Sequence, residues 1–165
     1  LGPTRRFCVG DGGDMSEQIS VTREIAAPSA DVWSLVSDLP RMGEWSPENQ
    51  GGAWVKGATG PAPGAEFKGE NQNGDHSWST DVTVIDCVPG ERFSFLVTSG
   101  PFKISEWSYD FEDTPAGCRV TESATERRNW LIKKVGNKIS GVDDRDDHNR
   151  RNMEATLERL GDAFA

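Results

Sequence analysis

Three polar side chains lie where the alternation of the chain predicts inward-facing strand positions: Arg23, Tyr109 and Glu122. A buried phenol can donate a hydrogen bond to a ligand carbonyl and stabilise an enolate, and a carboxyl group can act as general acid or base. The alternative for Tyr109, the only tyrosine, is a core residue whose hydroxyl is satisfied within the protein. These three residues are the candidates for catalysis, although no acid–base pair stands out.

The sequence contains no motif for a metal or a cofactor. The two histidines, His76 and His148, are too few for a histidine-built zinc site. No Gly-rich phosphate loop or Ser-His-Asp set occurs. The acidic run 143–147 lacks the glycine and terminal glutamate of a calcium loop, so we interpret it as capping the helix that follows. We therefore expect neither a cofactor nor a metal.

Length and charge restrict the domain organisation and the partners. Residues 1–14 are Gly-rich and aperiodic, and we expect them to be a tail or a non-native extension before a natural start at Met15, with 15–165 forming a single domain. The net charge of −9 argues against nucleic acid and against an anionic membrane surface. No apolar run reaches the roughly 18 residues of a membrane span, so we expect no stable membrane insertion. Monomer and homodimer both stay open.

The three cysteines, Cys8, Cys87 and Cys118, are odd in number and widely spaced. They form no metal or redox motif, which indicates free thiols in a reducing compartment. We therefore expect a cytoplasmic location.

The longest helical pattern covers residues 142–164. Small or apolar residues recur there at helical spacing, which is typical of an amphipathic helix. The stripe consists of Asn149, Met153, Thr156, Leu157, Leu160 and Phe164. An asparagine within such a stripe is costly without a partner. We therefore expect Asn149, together with Met153, to face a cavity.

Most of the preceding chain alternates with the period of a strand. Strands are predicted over 18–26, 51–55, 65–71, 76–87, 92–98, 104–112 and 118–127. A helix is predicted from about Ser29 to Leu39, followed by a short helical turn over 41–45. The segment 130–139 is predicted to be a short helical or irregular approach to the last helix.

The inward faces of these strands are rich in aromatic side chains. They include Phe67, Trp78, Phe93, Phe95, Trp107, Tyr109 and Phe111. Aromatic residues in this number either fill a core or line a pocket. Polar inward residues, including Thr80, favour a cavity because buried polar groups need partners.

The order of elements resembles the START-like (SRPBCC, helix-grip) superfamily, and most of all small actinobacterial proteins named for polyketide cyclases and dehydrases. The resemblance covers about residues 18–164. The segments that carry it are IAAPSADVWSLVSDLPRMGEWSPE, GGAW, PAPGAEFKGEN, WSTDVTVIDCVPGERFSFLV, YDFED, VTES and HNRRNMEATLERL. It implies an α+β fold, in which a curved antiparallel sheet of about seven strands surrounds a long C-terminal helix, with two short helices after strand one.

The resemblance also implies where a ligand would bind, namely between the sheet and the last helix. Trp45 would lie at the cavity mouth, as a ligand contact or lid or as a cap on the core. The loop Pro61–Gly64 would be a gate or an ordinary loop. Arg23 and Glu122 would face each other if strands one and seven are neighbours, as a proton relay or as a structural ion pair.

Two functions follow. The first is a carrier or sensor that binds a hydrophobic or amphipathic small molecule, lipid or polyketide-like, without changing it. The alternative is a cyclase or dehydratase that uses Arg23, Tyr109 and Glu122 in the same cavity. The absence of an obvious acid–base pair favours the first. The predicted ligand-binding residues are Trp45, Phe67, Trp78, Thr80, Phe95, Trp107, Tyr109, Asn149 and Met153.

Overall fold

The computed structural model describes residues 17–165, so the prediction of a tail over residues 1–14 lies outside the described residues. The strands are β1 Gln18–Ile25, β2 Asn49–Val55, β3 Glu66–Asn73, β4 His76–Val88, β5 Arg92–Ser99, β6 Phe102–Thr114 and β7 Gly117–Glu126. The helices are α1 Ser29–Val36, a 3₁₀ helix Leu39–Glu44, α2 Trp130–Ser140 and α3 Arg145–Asp162. The predicted α+β fold is confirmed.

All seven strands form one antiparallel sheet in the order β1-β7-β6-β5-β4-β3-β2. From β2 to β7 the chain is a meander. Strand β1 pairs with β7, so β1 and β2 form the two edges of the sheet. The predicted Asn-Gly signal marks the β3–β4 hairpin, where Gly74 has a φ of 58°. The turns of β3–β4 and β5–β6 and the end of β7 therefore lie at the same end of the sheet, which we call the open end.

Alternation along the strands places one set of side chains on the concave face. Toward the end of the sheet opposite the open end, this face forms a dry core with α1 and the last turns of α3. Its fully buried members include Val32, Val84, Phe93, Val120 and Leu160. Trp33 contacts Phe93 edge to face, with ring centroids 6.4 Å apart.

The C-terminal helix α3 is shorter at both ends than its sequence pattern suggests. It begins after Asp144, whose carboxylate accepts a hydrogen bond from the Asp147 amide at 3.1 Å. The predicted phase is confirmed, because Met153, Leu157 and Leu160 are buried. The helix packs against β1 and β7.

The segment 130–139, predicted to be short helical or irregular, forms the regular helix α2. The Asn129 side chain caps it by accepting from the Ile132 amide at 3.0 Å. Gly141 ends it in the left-handed conformation, with a φ of 68°. Its pattern is weak because three lysines interrupt the apolar residues. None of the described helices is long and apolar enough to cross a membrane.

The packing of α3 gives a direct test of the fold. Leu160 has no exposed surface, so Leu160→Ala should lower the free energy of unfolding by about 2–4 kcal/mol, through lost burial and the cavity left behind. Urea unfolding followed by circular dichroism measures the change. Glu158→Ala, on the exposed face of the same helix, is the control and should change stability little. Equal effects would contradict the observed phase of α3.

Candidate functional site

A cavity of about 740 Å³ lies between the concave face of the sheet, α2 and α3. This volume is within the range of sites for small molecules. The cavity occupies the half of the concave face nearer the open end, beyond the dry core.

The sheet supplies an apolar wall. Its aromatic members are Phe67, Trp78, Phe95, Trp107 and Tyr109, and Val82 and Val97 lie among them. They face inward because each stands at an alternate position of β3, β4, β5 or β6. Polar groups on this wall are few and partly satisfied, since the Asn71 amide donates to the Thr80 hydroxyl at 3.3 Å.

Tyr109 and Glu122 form a buried pair on this wall. They stand directly opposite each other across β6 and β7, and the tyrosine hydroxyl donates to Glu122 Oε1 at 2.8 Å. Burial raises the pKa of Glu122 to about 8, against the opposing effect of the hydrogen bond from Tyr109. Burial, and then the neighbouring carboxyl group, raise the pKa of Tyr109 well above its ordinary value. Glu122 is therefore an uncharged acid at neutral pH.

The second carboxyl oxygen of Glu122 has no partner within residues 17–165. Oε2 is buried and has no hydrogen-bond partner among the described residues, and Glu122 contributes to the cavity lining. A protonated carboxyl group without a protein acceptor can donate its proton to an acceptor on a ligand. The pair can thus hold a ligand carbonyl or hydroxyl in place, or give it a proton.

The helix side supplies a polar wall centred on Glu48. The Glu48 carboxylate accepts from Arg145 at 2.9 and 3.0 Å and lies 2.7 Å from His148 Nε2. It also accepts from the Asn152 amide at 3.3 Å. The Arg145 guanidinium lies 5.8 Å from the centre of the Trp78 ring, at the seam between the two walls. These contacts tie the first turns of α3 to the segment before β2.

The ionisable groups of the cavity lining compensate one another. Glu48 pairs with Arg145, and Glu126 pairs with Arg128 at 2.7 Å. Although burial acts to raise it, hydrogen bonds from Arg128 hold the pKa of Glu126 below its usual value. Because Glu122 is neutral at pH 7, the lining residues offer no unpaired charge to a ligand. This arrangement suits an uncharged molecule with hydrogen-bonding groups.

Most residues that the sequence singled out for ligand binding do line the cavity. They are Phe67, Trp78, Thr80, Phe95, Trp107, Tyr109, Asn149 and Met153. Trp45 does not line it. Its ring packs against the core, with the Arg41 guanidinium 5.9 Å from its centre. Of the two roles considered for Trp45, the position is that of a cap.

Arg23 differs from its expected position. In the β1–β7 register it lies opposite Val120, whereas Val21 lies opposite Glu122. Arg23 is exposed, and its guanidinium lies against Gly161 of α3 rather than in the cavity. The expected contact between Arg23 and Glu122 is thus replaced by the hydrogen bond between Tyr109 and Glu122.

The position of the loop Pro61–Gly64 favours an ordinary loop over a gate. It borders a separate surface depression formed by residues 56–66 and takes no part in lining the main cavity.

Sequence reasoning missed the Glu48 cluster and the pairing of Tyr109 with Glu122. Both left a signal. Arg145, Asn149 and Asn152 recur at helical spacing with Met153 and so share its face. Tyr109 and Glu122 stand at equal distances from the β6–β7 turn, so a hairpin centred on that turn must place them opposite each other.

Other reactive groups contribute nothing evident to the site. Residues 17–165 contain no cluster of three or more His, Cys, Asp or Glu side chains able to hold a metal ion. Cys87 and Cys118 are free thiols, and burial raises the pKa of both. Such thiols are poor nucleophiles.

The raised pKa of Glu122 predicts a pH-dependent stability. Between its ordinary value of 4.5 and about 8, the unfolded chain has lost this proton while the folded chain keeps it. The free energy of unfolding should therefore fall as pH rises through that window, by at most about 5 kcal/mol. Glu122→Gln removes the titration and should give a flatter profile in denaturant unfolding.

The matched control is Glu70→Gln, at an exposed position of β3. It should retain the slope of the parent protein. A Glu122→Gln profile as steep as that of the parent would contradict the neutral state of this carboxyl group.

Comparison with solved structures places this geometry among known folds. A polyketide cyclase-like protein from Corynebacterium glutamicum, solved by NMR, is 30% identical, with a TM-score of 0.55 over 88% of this chain and 90% of that chain. A protein from Nitrosomonas europaea is 15% identical, with a TM-score of 0.65 over 88% and 92%. The di-domain ARO/CYC BexL from the BE-7585A biosynthetic pathway is 22% identical, with a TM-score of 0.67 over 91% of this chain and 50% of that chain.

The last two similarities concern the fold alone. A comparison with curated proteins found no match. A family model described as polyketide cyclase/dehydrase and lipid transport matches residues 16–164, which is nearly the whole chain. The helix-grip architecture and this match agree, and the chain belongs to the polyketide cyclase/dehydrase and lipid-transport family of the START-like superfamily.

Proposed function

We propose that this protein is a carrier or sensor for an uncharged, amphipathic small molecule of polyketide-like character. One observation carries the proposal. The cavity of about 740 Å³ has an aromatic wall on the sheet and a polar, charge-compensated wall on the helices.

The aromatic wall favours rings or unsaturated chains over a compact polar ligand. Phe95 and Trp107 lie opposite each other on neighbouring strands and present adjacent rings. Across the cavity, Asn149 and Asn152 offer amide groups, and the Glu122 acid adds one donor. A flat molecule with oxygen substituents along its edge satisfies both walls.

The charge balance of the cavity favours uncharged, polyketide-like ligands over fatty acids, which carry a carboxylate. A carboxylate in this cavity would lose its hydration without gaining an unpaired cation, because Arg145 and Arg128 are already engaged. The family description names both polyketide chemistry and lipid transport, and the similar ARO/CYC protein is named for a biosynthetic pathway. An uncharged polyketide-like molecule satisfies the walls and the charge balance together.

Filling the cavity should weaken ligand binding. Val97 faces the cavity from β5, so Val97→Trp should occupy it and reduce the binding of Nile red, an uncharged dye, by at least about tenfold. The control is Leu96→Trp, because the adjacent residue of a strand points to the opposite face. Fluorescence titration of both variants and of the parent gives the three dissociation constants.

A second dye tests the charge argument. A dansyl-labelled fatty acid, which is anionic, should bind the parent protein more weakly than Nile red does. Stronger binding of the fatty acid, or equal binding of Nile red by the two tryptophan variants, would contradict the proposal. Native mass spectrometry of freshly purified protein then identifies any molecule that is retained.

A cyclase or dehydratase is the second candidate, favoured by the Tyr109–Glu122 pair alone. The neutral carboxyl group can give its proton to a ligand carbonyl oxygen as an enol carbon of the same chain attacks the carbonyl carbon. The carboxylate then accepts the proton that the enol hydroxyl group loses as it becomes a carbonyl group, which restores the acid. Tyr109 would orient the carboxyl group.

The enzymatic role makes a distinct prediction. Glu122→Gln should reduce turnover of a poly-β-ketone about 100-fold or more while leaving Nile red binding within about twofold. Tyr109→Phe should lower turnover less, because it removes only the hydrogen bond that orients the acid. Product analysis by liquid chromatography measures both. Turnover that survives both substitutions would rule out this mechanism.

The cytoplasm is our proposed location, supported by the free thiols of Cys87 and Cys118. A monomer or a homodimer is compatible with a carrier of this size, and light scattering distinguishes them.

A further inference from the structure

The outer face of α2 carries an apolar surface. Trp130 is 77% exposed, and Leu131, Val135 and Ile139 are each 51% exposed. The last three recur every fourth residue and so form one stripe along the helix. Three half-exposed aliphatic side chains beside an exposed tryptophan are unusual on a water-facing helix, and they indicate a contact surface.

The two ends of α2 are fastened to the open end of the sheet. Just before it, the Arg127 amide donates to the Ile104 carbonyl at 3.0 Å, next to the β5–β6 hairpin. At its other end the Asn73 side chain donates to the Ser140 carbonyl at 2.9 Å, at the β3–β4 hairpin. Helix α2 is about 16 Å long, and four strand spacings of about 4.8 Å separate β7 from β3. It therefore bridges the open end.

The exposed stripe coincides with the cavity mouth. Val135 and Ile139 line the cavity and are also half exposed, so they stand at its rim. The facing rim is the tip of the β5–β6 hairpin, where Phe102 also lines the cavity and is 49% exposed. A ligand that passes between these elements meets apolar side chains on both sides.

The local charge is opposite to that of the whole chain. Residues 127–142 contain five Lys and Arg residues and no Asp or Glu, although the chain as a whole carries −9. Arg127 and Arg128 pair with Glu106 and Glu126, so the lysines supply the unpaired positive charge. Lys134 and Lys138 are exposed beside the apolar stripe, and Lys103 adjoins Phe102 on the hairpin. None of these three lysines forms an ion pair with a described residue. Two exposed carboxylates, Asp75 and Asp143, lie near the C-terminal end of α2.

We propose that α2 and the tip of the β5–β6 hairpin form a docking surface for an anionic lipid bilayer. The apolar stripe would lie at the headgroup boundary, as interfacial helices do, and the lysines would contact lipid phosphates. Acidic groups elsewhere on the protein oppose this contact weakly, since charges beyond about 10 Å are screened at 0.1 M salt. The surface can dock on a bilayer whether or not the cavity binds a ligand. The proposed ligand-binding function only explains what docking would be for, namely exchange of the ligand with the bilayer.

This surface favours a bilayer over a protein partner. Lysines beside an aliphatic stripe, with a tryptophan at the helix end, match the composition of helices that lie in a membrane interface. Protein interfaces are depleted in lysine. The contact is peripheral, which accords with the expectation of no stable insertion. It departs from the expectation, drawn from the net charge, that an anionic membrane surface is disfavoured, because the charge on α2 differs in sign from that of the whole chain.

Cosedimentation with vesicles tests the proposal. The parent protein should bind vesicles of equal parts phosphatidylglycerol and phosphatidylcholine at about 0.1 M salt, and should bind vesicles of pure phosphatidylcholine much less. Lys134→Glu/Lys138→Glu should weaken binding about 30-fold or more, and Trp130→Ala/Leu131→Ser about tenfold. The matched control is Ile85→Ser/Val88→Ser, two exposed apolar positions on β4 away from the open end. It should bind like the parent.

Assays without vesicles distinguish a loss of vesicle docking from a loss of folding or of ligand binding. Both α2 variants should keep the unfolding temperature of the parent and its Nile red binding without vesicles. Conversely, Val97→Trp should lose the dye yet still bind vesicles. Failure of the parent to bind anionic vesicles, or equal binding by the α2 variants, would overturn the proposal. So would a dimer that dissociates on Trp130→Ala/Leu131→Ser, because a second copy would then cover this surface.

Discussion

A single helix cannot cover a seven-stranded sheet, and most of the architecture follows from that mismatch. Six strand spacings of about 4.8 Å make a sheet roughly 29 Å wide, whereas a helix with its side chains is about 10–12 Å across. Helix α3 packs against β1 and β7, and α1 fills the end opposite the open end. The inward faces of β3 to β6 extend beyond both helices toward the open end, where α2 roofs them without filling the space. The cavity is the volume left over.

This unfilled volume governs how polar groups survive inside it. A charge that is removed from water must pair or become neutral. Glu48 and Glu126 pair with arginines, and Glu122, next to a phenol alone, keeps its proton. The same rule makes the interior selective, because a charged guest would face the same cost with no partner left. Neutrality of the lining and neutrality of the expected ligand thus have one physical cause.

The sequence predicted the elements with a periodic apolar pattern and missed the features that depend on tertiary contacts. Alternation and turn residues located every strand and the inward aromatic side chains, because a sheet with one buried face imposes a period of two. Arg23 satisfied that period, yet it lies where the end of α3 leaves the face exposed. Helix α2 could be predicted only as a short helical or irregular segment, because its apolar residues face a cavity and solvent and not a dry core. Glu48 lies outside any periodic segment, and only the folded chain brings it to α3.

Helix α2 is fastened through backbone and turn contacts at its two ends, whereas its middle rests on a cavity. Its sequence is therefore freed from the packing constraints that bind α3 to β1 and β7. Substitutions at the cavity-facing positions of α2 should therefore cost the scaffold little, provided that Asn129 and Gly141 still cap the helix. New ligand preferences can thus arise through substitutions on the cavity side of α2 alone, while α3 and the sheet maintain the fold.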